Sequence, residues 1–158
     1  MKITLQVMLG AVAIACFVAD IPSQAADEHS ILTPSDVQWG PAPPAMRPGV
    51  QAAVLFGDPS KNGPFAMRIK FPKGYRLPPH FHPVDEVVTV ISGTSRLGMG
   101  EKADPSKTQS LPAGSFFVLP PGMPHYAVFD EETVIQINTI GPWSVTYVHP
   151  EDDPRKTQ

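Results

Sequence analysis

The chain has 158 residues, a length that suits one folded domain and is short for two. Its formal net charge is −3 and its basic residues form no cluster, which argues against nucleic acid as a partner. The 20 prolines and 12 glycines, with only 17% charged residues, favour short strands and tight turns over helices. Compact apolar runs separate the prolines, so an all-β domain is a better interpretation than disorder.

Residues 1–25 are typical of a secretory signal peptide. Lys2 precedes an apolar run, and the small residues Ser23 and Ala25 stand where a signal peptidase requires them for cleavage after Ala25. A transmembrane anchor is the competing interpretation, because the run approaches the roughly 18–20 residues that cross a bilayer. The cleavage site favours export. The pattern therefore predicts a periplasmic or secreted protein without a membrane segment once the signal peptide has been removed.

Cys16 is the only cysteine in the sequence and lies inside the predicted signal peptide. A bacterial lipoprotein site at Cys16 is a second interpretation, but apolar Phe17 and Val18 follow it and the ordinary cleavage site lies downstream. The processed chain would then contain neither disulfides nor thiolate ligands. Any metal site in it must be built from histidine and carboxylate.

The processed chain divides into an irregular arm over residues 26–50, a β-barrel over 51–149 and a polar, frayed tail over 150–158. Within the barrel, period-two alternation places Phe65, Met67, Ile69 and Phe71 on one face of a strand. Further strand patterns, separated by turns rich in glycine and proline, cover residues 49–56, 94–99, 115–119, 125–129, 133–140 and 144–148. Eight or more short strands without a convincing amphipathic helix predict a closed or nearly closed antiparallel barrel, such as a jelly roll.

The segment from Gly74 to Gly93 carries three candidate metal ligands. His80 and His82 stand two residues apart, so a strand would project both side chains from the same face. Glu86 can return to that face after the chain bends through Pro83. Three potential ligands would then converge on one volume.

His125 is a fourth candidate ligand, placed at the start of a strand by the turn over residues 120–124. A single histidine in a β protein is more often an ordinary core or surface residue, but three at these spacings with Glu86 favour a metal site. Three imidazoles and one carboxylate suit Fe, Mn or Zn, with Ni and Cu also compatible. In a six-coordinate complex these four ligands would leave two positions for water, substrate or dioxygen.

These residues also carry a family resemblance. Residues 74–93 match the first motif of the cupins, G-x5-H-x-H-x3-E-x6-G, and residues 114–125 match the second, G-x5-P-x-G-x2-H. The resemblance spans about residues 65–140. It implies an all-β, one-domain fold, the cupin double-stranded β-helix or antiparallel jelly-roll barrel. It also implies a divalent metal ion held by His80, His82, Glu86 and His125.

The chain departs from the cupin pattern at one position. The asparagine that usually stands four residues after the last histidine is replaced by Phe129, which would make the pocket more apolar near the metal. Arg68 and Gln136 could contribute to the pocket, but an outward position on a solvated sheet face is the favoured interpretation. Tyr75, Arg76 and Tyr126 are further candidates for a role in the pocket, which the sequence does not rank.

Two functions are compatible with this pattern. One is a metal-dependent oxidoreductase, of dioxygenase type, that acts on a small organic molecule and uses Glu86 as a catalytic proton acceptor. The alternative is a non-catalytic module that binds or senses a metal or small ligand, as cupin domains do in some regulatory proteins. A homodimer is compatible with either.

Overall fold

A computed structural model of the chain describes residues 30–156. The predicted signal peptide, its cleavage site and Cys16 lie outside the described residues. No helix within the described range is long and apolar enough to cross a membrane. From Leu32 onward the chain forms a single structural unit.

The described residues form eleven strands, and their helical turns are short 3-10 segments, which confirms the predicted all-β class. The strands are β1 (Gly40–Pro41), β2 (Gln51–Phe56), β3 (Gly63–Phe71), β4 (Arg76–Phe81), β5 (Glu86–Ser92), β6 (Thr94–Met99), β7 (Gln109–Pro112), β8 (Phe116–Leu119), β9 (His125–Val128), β10 (Thr133–Gly141) and β11 (Thr146–Tyr147). The 3-10 turns cover Pro34–Asp36, Pro105–Lys107, Pro150–Asp152 and Pro154–Lys156.

The strands form two antiparallel sheets. The six-stranded sheet has the order β1-β2-β3-β10-β5-β8, and the five-stranded sheet has the order β11-β4-β9-β6-β7. One hydrophobic core contains residues of both sheets, including Met67 of β3 and Leu77 of β4. The antiparallel two-sheet barrel predicted from the sequence is therefore confirmed.

The alternation predicted for β3 is the clearest link between sequence and packing. Phe65, Met67, Ile69 and Phe71 are all at most 2% exposed, whereas the residues between them are partly exposed. A strand places successive side chains on opposite faces, so these four residues all point into the barrel. Burying an apolar side chain of this size contributes about 1.5–3 kcal/mol. The pattern of β3 thus fixes which face of the six-stranded sheet covers the interior.

Both ends of the unit are more closely packed than the sequence predicts. In the arm, Ala45 is part of the core, and its carbonyl accepts a 2.7 Å hydrogen bond from the hydroxyl of Tyr147. In the tail, Asp153 is buried and binds the guanidinium of Arg155. The prediction of a frayed tail is therefore wrong for residues 150–156. The tail is also held from outside, because Arg155 donates to the Val145 carbonyl and Asp152 pairs with Arg47 of the arm. Contacts with other segments leave no signal in its short polar sequence.

Candidate metal centre

Three strands bring the predicted ligands together. His80 lies in β4 and pairs across the sheet with His125, the first residue of β9. The register between β4 and β9 shifts between Leu77 and His80, where three steps along β4 correspond to two along β9. Such a bulge re-aims the side chains that follow it. The prolines at positions 78 and 79 occupy this irregular stretch, and His80 emerges from it next to His125.

The three histidines form a compact buried group. One ring nitrogen from each lies within 4.8 Å of the others, and the side chains of His80, His82 and His125 are only 1–3% exposed. Glu86, the first residue of β5, reaches two of them. Its Oε1 is 3.3 Å from Nε2 of His82, and its Oε2 is 3.3 Å from Nε2 of His125. The structure therefore brings all four predicted residues into one cluster.

Backbone carbonyls determine which nitrogen of each ring faces the cluster. Nδ1 lies 2.8 Å from the Pro78 carbonyl in His80, 2.8 Å from the Ser144 carbonyl in His82 and 3.0 Å from the Met123 carbonyl in His125. A carbonyl oxygen can only accept, so each Nδ1 carries the hydrogen and each neutral ring keeps a lone pair on Nε2. This arrangement orients histidines as metal ligands in proteins.

The buried carboxylate and the neutral imidazoles of the cluster favour the binding of a positive charge. Burial, reinforced by the neighbouring histidines, lowers the pKa of His80 to about 3, so its ring is neutral. Burial alone would raise the pKa of Glu86, but the two adjacent imidazoles outweigh it and hold that pKa well below its usual range. For His82, burial opposes protonation, but the Glu86 carboxylate and the Ser144 carbonyl together raise its pKa. The cluster thus contains an anion and ring nitrogens that attract either a proton or a cation.

These residues fit a divalent metal ion. Nε2 of His82 is buried and makes no hydrogen bond of good geometry to any described residue, although the Glu86 carboxylate is only 3.3 Å away. A buried nitrogen without a partner costs about 1–3 kcal/mol. A cation between the imidazoles and the carboxylate would satisfy that lone pair and the anion at once. The donor set of three nitrogens and one carboxylate suits Fe, Mn or Zn.

A small apolar cavity of about 30 Å³ adjoins the cluster. His80, Glu86 and His125 contribute to its lining, and most other lining residues are apolar, including Phe129. The ring of Phe129 stacks on Phe71 with centroids 4.1 Å apart. Such a volume holds about one water or a diatomic molecule. The cavity next to the candidate ligands is therefore narrow and nonpolar.

Arg68 and Gln136 lie on the outer face of the sheet. The sequence allowed either a pocket position or an outward position for both residues. They are opposite each other on β3 and β10, and Nε of Arg68 donates a 3.0 Å hydrogen bond to Gln136. Their neighbours Met67 and Ile137 point into the core. The favoured outward interpretation is therefore the one that the structure supports.

The tyrosines among the unranked candidates make structural contacts. The hydroxyl of Tyr75 accepts a 3.0 Å hydrogen bond from the backbone N–H of Arg47, and that of Tyr126 donates to the Asp104 carbonyl at 2.9 Å. Arg76 is exposed, at the start of β4. None of the three lines the cavity beside the cluster.

Three residues that sequence reasoning missed contribute to the site. The Trp143 ring stacks on the ring of His82, with centroids 4.8 Å apart and an interplanar angle of 18°, and the Ser144 carbonyl accepts from the same histidine. Ser95 is buried and is the one polar residue outside the predicted ligand set that lines the small cavity. Residues 143 and 144 follow a Gly-Pro turn, a signal for a change of direction but not for its target.

Comparison with known proteins identifies the family. A model for a domain of unknown function, DUF4437, matches residues 30–153. The chain belongs to this family. A search of curated proteins gives no significant match for this DUF4437 protein.

Solved structures share its fold. An RmlC-like cupin from Shewanella frigidimarina matches with a TM-score of 0.54 and 18% identity, covering 72% of this chain and 91% of that one. The polyketide cyclase RemF from Streptomyces resistomycificus matches with a TM-score of 0.65 and 18% identity, covering 82% and 92%. A candidate acetylacetone dioxygenase from Methylibium petroleiphilum matches with a TM-score of 0.61 and 17% identity, covering 83% and 88%. At these identities the matches show that this DUF4437 protein has the cupin fold.

Proposed function

We propose that this DUF4437 protein is a metal-dependent enzyme that acts on a small organic molecule, as an oxidoreductase of dioxygenase type. The metal part rests on one observation. Three buried histidines donate Nδ1–H to backbone carbonyls, which leaves their Nε2 lone pairs beside an ionised carboxylate. The dioxygenase part is supported by the small apolar cavity at the cluster and by a fold shared with a candidate dioxygenase.

A divalent ion on His80, His82, Glu86 and His125 would supply Lewis acidity and, if redox-active, electron transfer. The other contributions belong to the chain. The imidazoles of His82 and His125 keep Glu86 ionised by lowering its pKa, and they make it a weak base while both Oε atoms lie beside them. An Oε that moved away from them would regain the basicity of an ordinary carboxylate and could then accept a proton from substrate. The apolar lining around Phe129 limits the space beside the cluster to about one water or a diatomic molecule, and the Ser95 hydroxyl can orient one polar substrate atom.

A non-catalytic metal-binding module is the second candidate, favoured by the tight enclosure of the cluster. The four residues are 1–6% exposed, and the adjoining cavity of about 30 Å³ leaves little room for a substrate. Water-proton relaxation of the Mn²⁺-loaded protein separates the two functions. An enzyme needs an exchangeable coordination position and should enhance relaxation. A closed binding site would leave it close to that of the metal-free protein.

The proposal is tested by metal analysis and oxygen uptake on one preparation. We expect close to one equivalent of Fe or Mn in the purified protein, and oxygen consumption with some member of a panel of small organic acids and β-dicarbonyl compounds. His125→Ala should lose both metal and uptake. His149→Ala is the matched control, since His149 is exposed and bonds the Glu101 carbonyl. Full metal content in His125→Ala would refute the site, whereas bound metal without turnover of any compound would favour the binding module.

We also propose that the protein is exported and processed, so that it acts in the periplasm or outside the cell. The support is the signal-peptide pattern of residues 1–25. Amino-terminal sequencing of the protein from its native compartment should start at Ala26. An intact Met1 in a cytoplasmic fraction would overturn this proposal.

A further inference from the structure

A second and much larger cavity lies in a groove that none of the four candidate ligands lines. Its volume is about 660 Å³, within the range of roughly 300–1,000 Å³ typical of small-molecule sites. Prolines and alanines of the N-terminal arm form one side, and Val54, Met67 and Trp143 extend the apolar lining. Flat apolar walls of proline and indole suit an aromatic or aliphatic body.

Arg155 is the one charged residue that lines this groove. Its guanidinium is held in place, because Nε and Nη2 bond the two oxygens of Asp153 at 2.7 and 2.8 Å and Nη2 also donates to the Val145 carbonyl at 3.2 Å. Nη1 makes no hydrogen bond to a described residue. The side chain is 43% exposed, so Nη1 can reach a ligand. Asp153 occupies the Nε–Nη2 edge of the guanidinium and shares its charge, so the group that remains for a ligand carboxylate is Nη1, as a single charge-assisted donor held in a fixed position.

Trp143 is a second feature of this groove. Trp143 is only 9% exposed, and its Nε1–H has no hydrogen-bond partner among the described residues. A buried donor without a partner costs about 1–3 kcal/mol. Because this nitrogen is itself inaccessible, the part of Trp143 that lines the groove is its apolar ring. Trp143 also stacks on His82, which places the groove one side chain from the candidate metal centre.

We propose that this groove binds a small hydrophobic carboxylate. The apolar body lies against the prolines and Trp143, and the carboxylate binds Arg155. The proposal does not depend on metal chemistry, because the groove and the metal ligands are separate sets of residues.

The probe is 2-naphthoate, compared with its neutral analogue 2-naphthylmethanol, on the zinc-loaded full-length processed protein. The substitution Trp39→Phe leaves Trp143 as the only tryptophan in the chain. Trp39 does not line the groove, and its ring lies 4.3 Å from Nζ of Lys70. The Nε1–H resonance of Trp143 should shift saturably with 2-naphthoate. The neutral analogue should bind roughly tenfold more weakly, because it lacks the charge that Arg155 recognises.

Two sets of variants test the geometry. Val54 lines the groove and is 54% exposed, so Val54→Glu and Val54→Lys should both fold. Val54→Glu should weaken 2-naphthoate several-fold and Val54→Lys should tighten it, with no change for the neutral analogue. Arg155→Met should weaken 2-naphthoate roughly tenfold. Arg47→Met is its matched control, since Arg47 also pairs with an aspartate, at 3.1 Å, outside the groove.

Three results would overturn the proposal. The first is an indole resonance that does not respond to 2-naphthoate. The second is equal binding of the charged and neutral probes together with equal affinities in the two Val54 variants. The third is probe binding that weakens as protein concentration rises, which would mean that a second copy of the chain covers the groove.

Discussion

The stability of the metal-free protein should pass through a maximum near pH 6.5, because two ligand histidines titrate in opposite senses. The folded pKa of His80 is about 3, against 6.5 for an unperturbed histidine. Its contribution to stability is therefore fully present above pH 6.5 and is lost as the pH falls towards 3, while the unfolded chain takes up the proton. The difference of 3.5 pKa units, 6.5 − 3, corresponds to about 5 kcal/mol over that interval.

His82 produces the decline on the alkaline side. Its folded pKa is raised, so its contribution is fully present below pH 6.5 and is lost as the pH rises through the folded value. Glu86 adds to the acid limb, since its lowered pKa gives a contribution that is present above the usual carboxyl range and is lost in strong acid. Different residues therefore cause the acid and the alkaline decline in stability, and mutation can separate the two.

The assay is urea denaturation in EDTA at closely spaced pH values from acid to alkaline. His82→Gln should flatten the alkaline limb, and His80→Gln should shrink the acid limb while leaving the contribution of Glu86. Excess Zn²⁺ should reverse the alkaline decline, because metal binding requires deprotonated imidazoles. A metal-free protein whose stability rises steadily from pH 6 to 9, or an alkaline decline that persists in His82→Gln, would refute this account.

Three further predictions concern binding and packing. Zinc at about one hundred times its dissociation constant should raise the free energy of unfolding by about 2.7 kcal/mol, and His125→Ala should abolish this gain in thermal melts. Gly98→Ala should destabilise the fold by about 1–3 kcal/mol in urea, because an added Cβ would clash with the ring of Tyr126. Gly40→Ala, with nothing within 4 Å of the added Cβ, should be near neutral. Phe129→Ala should cost about 3–5 kcal/mol through the lost stacking and the cavity left behind, and a loss below 1 kcal/mol would contradict its place in the core.

The parts that the sequence predicts well are those governed by local periodicity. Alternation in β3 predicts which four of its residues are buried, because a strand has a fixed period of two. The spacing of two between His80 and His82 predicts their shared face for the same reason, and the bend through Pro83 predicts the return of Glu86 to that face. His125 is a candidate because a proline-rich turn places it at the start of a strand, and the second cupin-like motif supports it. Nothing local relates it to β4.

The parts that the sequence does not predict are contacts between distant segments. The Ser144 carbonyl orients His82 across 62 residues, and the Tyr147 hydroxyl reaches the Ala45 carbonyl across 102. A backbone carbonyl leaves no trace in residue type, so only the folded chain reveals it. Strand β7 was missed because Leu111 is the one apolar aliphatic side chain in its four residues, too few for an alternating pattern.

One short segment, residues 143–145, supports both proposed sites. The Trp143 ring packs on His82, the Ser144 carbonyl fixes the tautomer of that histidine, and the Val145 carbonyl accepts from Arg155 in the groove. A carboxylate that drew Arg155 away from the Val145 carbonyl would move the segment whose Ser144 carbonyl orients His82. Coupling between two binding equilibria is reciprocal, so a groove ligand that changes zinc affinity by some factor must have its own affinity changed by zinc by that same factor. The groove would then act as a regulatory or substrate-positioning site for the metal centre, and the backbone of residues 143–145 would be the structural link between them.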